Sequence, residues 1–79
     1  MSVTIKFSSS LRDFVNDYDP LTGLELNVSS GLTVAGLLAQ LGVPAKKVKI
    51  VMINGIHGSM DRIVNDGDRV GLFPAVGGG

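Results

Sequence analysis

Val3, Ile5 and Phe7 alternate with Thr4 and Lys6 near the start of the chain, the period-2 signature of a strand with one face buried. Ser8-Ser9-Ser10 interrupts that alternation. Leu11-Arg12-Asp13-Phe14-Val15 then reads as a short loop or one helical turn, anchored inward by Leu11 and Phe14. The polar stretch from Asn16 to Pro20 reads as a connection, because Pro20 disfavours helix at Asp19. Leu24, Leu26 and Val28 alternate with Glu25 and Asn27, which predicts a second strand. The two strands are expected to pair as a hairpin with a long loop.

The period then changes. Val34, Leu37, Leu38 and Leu41 fall at i, i+3, i+4 and i+7, one apolar stripe of an α-helix. Thr33 is placed to cap its start, Gly42 to close its end in a left-handed conformation, and Pro44 to block continuation. Gly36 inside it disfavours helix by about 1 kcal/mol relative to Ala, so it is expected to mark close packing against the sheet. Ile50-Val51-Met52-Ile53 is a continuous apolar run, read as a strand partly buried on both faces. Asn54-Gly55 is a tight-turn signal, and Ile56-His57-Gly58-Ser59 reads as a short return strand. Asn65-Asp66-Gly67-Asp68 is a second turn before a closing strand, Arg69 to Phe73, with Val70 and Leu72 on one face and Gly71 and Phe73 on the other. One helix covering one face of a small mixed sheet satisfies this order. The expectation is an α+β fold, the β-grasp layout of ubiquitin-like proteins.

Composition narrows the chemistry. Seventy-nine residues suffice for one domain, read as residues 1–74 followed by a glycine-rich tail, 75–79. The absence of cysteine excludes disulfides, thiolate metal sites, iron–sulfur ligation and a cysteine nucleophile. Seven basic residues balance seven acidic ones, and without a broad basic patch no nucleic acid partner is expected. Lys46, Lys47 and Lys49 form the one basic cluster, read as a solvated loop edge or part of a docking surface. No apolar run reaches the roughly 18–20 residues a bilayer span requires, and Met1 to Lys6 lacks a signal-peptide layout, so no membrane association and a cytoplasmic protein are expected.

The sequence closes on Phe73-Pro74-Ala75-Val76-Gly77-Gly78-Gly79. Ordering glycines is entropically unfavourable, and a frayed terminus accounts for them with no function at all. As a functional element, the five residues beyond Pro74 would form a thin strand of chain with a carboxylate at its tip. They can extend roughly 17 Å, at about 3.3–3.6 Å per residue. Pro74 lacks an N–H and fixes φ, which suits the end of a ladder and the launch of a tail.

The stretch from Asn65 to Gly79 resembles the end of the small subunit of molybdopterin synthase and of the thiamine-pathway sulfur carrier. Those ubiquitin-like sulfur carriers share an Asp-Gly-Asp turn, an apolar strand, often a proline, and a Gly-Gly carboxylate. Leu11-Arg12-Asp13-Phe14 is similar to a segment of the molybdopterin branch, while Thr33-Val34 and Ile53-Asn54-Gly55 resemble both branches. Ala75 and Gly77 depart from the molybdopterin pattern, and the triple glycine is common on the thiamine side. The length and the Leu11–Phe14 segment favour the molybdopterin side, with a tungsten-pterin carrier closely similar to it.

The resemblance implies a carrier rather than an enzyme. An activating enzyme of the ubiquitin-E1 type would use ATP to adenylate the Gly79 carboxylate, and a persulfide would then convert it to a thiocarboxylate. A second partner, the large subunit of molybdopterin synthase or a thiazole synthase, would take the sulfur. Gly78, Gly77 and Val76 would thread the partner's channel, and Phe73 and Pro74 are candidates for the surface that docks there. A different class of function, a protein modifier forming isopeptide bonds through Gly79, shares the tail and its activation. No bound cofactor or metal is expected. Lone His57 has no acid or nucleophile at a telling spacing, Asp61, Asp66 and Asp68 are better explained by turn chemistry than as ligands, and Met52 and Met60 read as core fillers.

Overall fold

Each alternating segment became a strand, and the pairing that joins them sets everything else. The computed structural model describes residues 1–15, 18–19 and 21–74. Its strands are β1 (Ser2–Phe7), β2 (Leu24–Asn27), β3 (Val48–Ile53), β4 (Ile56–Gly58) and β5 (Arg69–Pro74), with one α-helix, α1 (Val34–Leu41), between β2 and β3. Two 3-10 turns, Ser9–Phe14 and Ala45–Lys47, precede the loop to β2 and the start of β3. The sheet is mixed, in the order β2-β1-β5-β3-β4. The predicted β1–β2 hairpin forms, with Val3 opposite Leu26. The last strand occupies the centre, parallel to β1 and antiparallel to β3.

One face of the sheet carries the core. Val3, Ile5, Phe7, Val51, Ile53, Val70 and Leu72 point inward and are buried against Val34, Leu37 and Leu38 of α1. Burying each such side chain stabilises the fold by roughly 1.5–3 kcal/mol before chain entropy is set against it. The caps read from sequence are in place: the Thr33 hydroxyl accepts the Gly36 N–H at 3.1 Å, and Gly42 closes the helix at φ 76°. Asn54 and Gly55 both have positive φ, as a two-residue turn between antiparallel strands requires.

The structure corrects four expectations. Phe14 is not an inward anchor: it is 40% exposed while Leu11 is buried. The space beside β1 is taken instead by Tyr18, whose ring meets Phe7 edge-on at 5.2 Å. Its hydroxyl accepts the Phe7 N–H at 2.9 Å, so a residue read as part of a polar connection packs against the core. Gly36 does not abut the sheet, since a Cβ there would meet Leu32 Cδ1, in the segment leading into the helix, at 2.7 Å. Met52 is not a core filler, although Met60 does pack against the core. A register shift between Val48 and Ile50 bulges β3 at Lys49, and an extra residue reverses the facing of what precedes it. Val51 and Ile53 therefore face the core, while Ile50 and Met52 line the open face.

Candidate functional site: the finish of the central strand on the open sheet face

The open face and the finish of β5 together frame Pro74, the last of the described residues. Pro74 is paired with Val48 and Phe73 with Ile50. On the other side of β5, the Ser8 N–H donates to the Leu72 carbonyl at 3.0 Å, which brings the Ser9–Phe14 turn beside the strand's end. Phe73 (38% exposed) and Ile50 (37% exposed) form an apolar pair in water. A Cβ on Gly71 would lie 3.4 Å from the Phe73 ring and 3.8 Å from Met52 Cβ, so the ring leans back over the glycine. Beyond it lies a shallow groove of about 270 Å³ with Lys6, Met52, Arg69 and Gly71 in its walls.

The charges around this patch are unevenly distributed. Lys6 and Arg69 flank Gly71 on the open face and Lys49 stands on the bulge, all exposed. Lys46 and Lys47 occupy the turn immediately before Val48, the partner of Pro74. The start of β5 is acidic but internally satisfied. Asp68 is buried, accepting from Asn54 Nδ2 at 2.9 Å and from the Asn65 N–H at 2.8 Å. Asn54 Oδ1 in turn accepts the Arg69 N–H at 2.9 Å. Asp66 takes the Ser2 N–H at 2.7 Å. These contacts bear out the reading of Asp66 and Asp68 as turn residues. Among the described residues no group of three or more His, Asp or Glu side chains is arranged to hold a metal ion.

Comparison with known proteins agrees with this geometry. The family described as Mut7-C ubiquitin matches residues 1–77. The chain belongs to the Mut7-C ubiquitin family. None of the curated proteins compared with it matches. SAMP1 from Haloferax volcanii is a structural neighbour at 22% identity with a TM-score of 0.73, the alignment covering 100% of both chains. A putative molybdopterin converting factor subunit 1 from Pyrococcus furiosus is 22% identical, with a TM-score of 0.71 over 95% of this chain and 98% of its own. Urm1 from Trypanosoma brucei is 20% identical, with a TM-score of 0.68 over 99% of this chain and 95% of its own. At these identities the likeness is one of fold, and it bears out the ubiquitin-like β-grasp.

Of the site residues read from sequence, this Mut7-C ubiquitin domain brings Phe73 and Pro74 together at the finish of the central strand. Val76, Gly77, Gly78 and Gly79 lie outside the described residues. Two open-face residues, Ile50 opposite Phe73 and Met52 opposite Gly71, escaped the sequence reading as neighbours of this site. An apolar run longer than core alternation needs was the available signal for them.

Proposed function

We propose that this domain is a sulfur carrier, whose Gly79 carboxylate is adenylated by a ubiquitin-activating-type enzyme and converted to a thiocarboxylate for a molybdopterin-type cofactor. The observation that supports it best is the position of β5: the strand leading to Pro74 is held on both sides, and the residues beyond it run Ala-Val-Gly-Gly-Gly. In this reading the carboxylate attacks the α-phosphate of ATP and pyrophosphate leaves. The mixed anhydride then loses AMP to a persulfide, and a thiol reductant cleaves the resulting S–S bond to leave the thiocarboxylate. Sulfur then passes to a synthase subunit that completes the cofactor, the domain acting as a cosubstrate of covalent catalysis. A glycine at the tip has no β-carbon to obstruct approach to the phosphate, and Gly78 can adopt backbone angles a channel would impose. ATP belongs to the activating partner.

Intact-mass spectrometry of the protein, purified without reductant from its native host, tests both the chemistry and the terminus. A fraction heavier by the difference between sulfur and oxygen, mapped to a Gly79 end, is the expected result. A second reading follows from one neighbour, a small archaeal modifier protein from Haloferax volcanii. In it Gly79 forms isopeptide bonds, and Gly79 amide-linked to lysines of other proteins, with no thiocarboxylate, would replace the first reading. A thiazole-pathway carrier shares the thiocarboxylate and is separated by which synthase accepts the sulfur.

A further inference from the structure

We infer that the partner which draws in the tail presents an acidic protein surface around an apolar seat, and that Lys46, Lys47 and Lys49 steer it to the root of the tail. The inference rests on the reading that a partner takes up residues 75–79, and adds the chemistry of that partner's docking face. The chain is neutral overall, yet its charges are segregated about the open face. Lys6 and Arg69 border the groove and Lys49 the bulge. Among the described residues the acids toward that face are Glu25, on the edge strand β2, whose carboxylate accepts from the Ser2 hydroxyl at 3.3 Å, and Asp19, in the loop whose Leu21 carbonyl accepts from Lys6 Nζ at 3.2 Å; both lie on the β2 side of the sheet, away from β3. Asp66 and Asp68 are at the opposite end of β5, committed to Ser2, Asn54 and Asn65. Arg12 and Asp13, neighbours in the turn on the β1 side of the tail root, add no net charge there, and the Arg12 Nε–H donates to the Phe7 carbonyl at 3.2 Å. The β3 side is left with three lysines in four residues, adjacent to the register partner of Pro74.

Exposed lysines so placed do little for the fold. Clustered beside the apolar pair Phe73–Ile50, they form one half of an interface with an apolar centre and a charged rim. Rim charges chiefly act on the rate and salt dependence of encounter, while the desolvated centre holds the complex. The polarity is therefore a statement about the partner: carboxylates should surround the mouth of its tail channel, with an apolar pocket for Phe73 beside them.

The test is a rate measurement on the full-length chain with the ubiquitin-activating-type adenylating enzyme of the same genome, at low and high salt. Wild-type association should slow steeply as salt rises. Lys46→Glu/Lys47→Glu/Lys49→Glu should slow it roughly ten-fold or more at low salt and flatten the salt dependence. The milder Lys46→Gln/Lys47→Gln/Lys49→Gln chain should show the same effect in smaller measure, with no added repulsion and no risk to the fold. Arg62→Glu, beside the start of α1 where the Arg62 carbonyl accepts the Val34 N–H at 2.9 Å, should leave the rate unchanged. Association indifferent to the lysines, or absent for the wild type at either salt, overturns the inference. So does capture of a single-stranded RNA oligonucleotide by the lysines in preference to the enzyme. The mass of the Gly79 terminus is read separately, so a thiocarboxylate with salt-insensitive docking would retain the carrier and remove only the acidic face.

Discussion

The two ends of β5 are built from different chemistry. At its start, Asp68 and Asn54 satisfy each other and two backbone N–H groups within a turn whose polar atoms face inward. At its finish, Phe73 stands in water beside Ile50, and the ladder closes on a proline. A buried carboxylate without partners would be strongly destabilising, so the start of the strand tolerates little change. The finish leaves Phe73 and Ile50 side by side and partly exposed, an apolar pair that the fold does not fully cover. One strand thus fixes the register of the sheet at one end and closes beside a partly exposed apolar pair at the other.

The largest expected effect separates the two ends most sharply. Gly79→Val or Gly78→Val should leave the melting temperature unchanged and lower adenylation by about a hundred-fold or more, as misplacing a reacting atom by an ångström does. Deleting Gly79 should be as severe, because it leaves the activated atom one residue short. Normal adenylation and sulfuration of Gly79→Val would falsify the proposed chemistry.

The opposite end should break the other way. Asp68→Ala removes the acceptor for Asn54 Nδ2 and the Asn65 N–H, a loss of about 2 kcal/mol. For a domain of this size that corresponds to a Tm lower by roughly 8–16 °C. Below the transition its tail should be adenylated at the wild-type rate. A double-mutant cycle with Asn54→Gly, which keeps the positive φ, should show coupling between the two side chains. Additive losses would mean that the side chains do not act as a unit.

Much of this division was legible in the sequence, because it rests on local signals. Alternation located β1 and β2, the 3.6 period and the Thr33 and Gly42 caps located α1, and Asn54-Gly55 and Asp66-Gly67-Asp68 marked turns that the structure contains. What stayed hidden depends on distant pairing or on one displaced residue. The bulge at Lys49 turns Ile50 and Met52 outward rather than Val51 and Ile53, and the unbroken apolar run signals that both faces are apolar without saying which residues take which. Tyr18 looked polar by its neighbours, yet its hydroxyl serves an N–H eleven residues earlier. The site followed the same rule. Phe73 and Pro74 were readable from alternation and from the proline, but their apolar and basic neighbours come from β3 and appear only when the strands pair.

Phe73 tests where the boundary between the two regimes lies. Because it is 38% exposed, Phe73→Ala should reduce stability by about 2 kcal/mol, below the 3–5 typical of a buried phenylalanine. Its affinity for the activating enzyme should nevertheless fall by roughly thirty-fold, as for an aromatic anchor at the centre of an interface. A large drop in Tm with unchanged binding would assign Phe73 to the core, and the finish of β5 would then resemble its start.

Gly36 lies away from both ends, and its substitution is expected to have the smallest effect of all. Alanine in place of glycine should favour helix by up to about 1 kcal/mol. Its Cβ would sit 2.7 Å from Leu32 Cδ1, the far end of a flexible side chain that is half-buried. The Leu32 backbone is held by the Val64 N–H donating to its carbonyl at 2.9 Å, so relief must come from the side chain. An off-rotamer shift there costs of order 0.5–1.5 kcal/mol. The two effects nearly cancel, and Gly36→Ala should move the Tm by only a few degrees while leaving adenylation untouched. A loss above about 2 kcal/mol, in the range of an overpacked core, would show that Leu32 cannot turn aside. The glycine would then be there to admit the segment before the helix. That outcome would add a third place, remote from β5, where the fold rather than the tail dictates the residue.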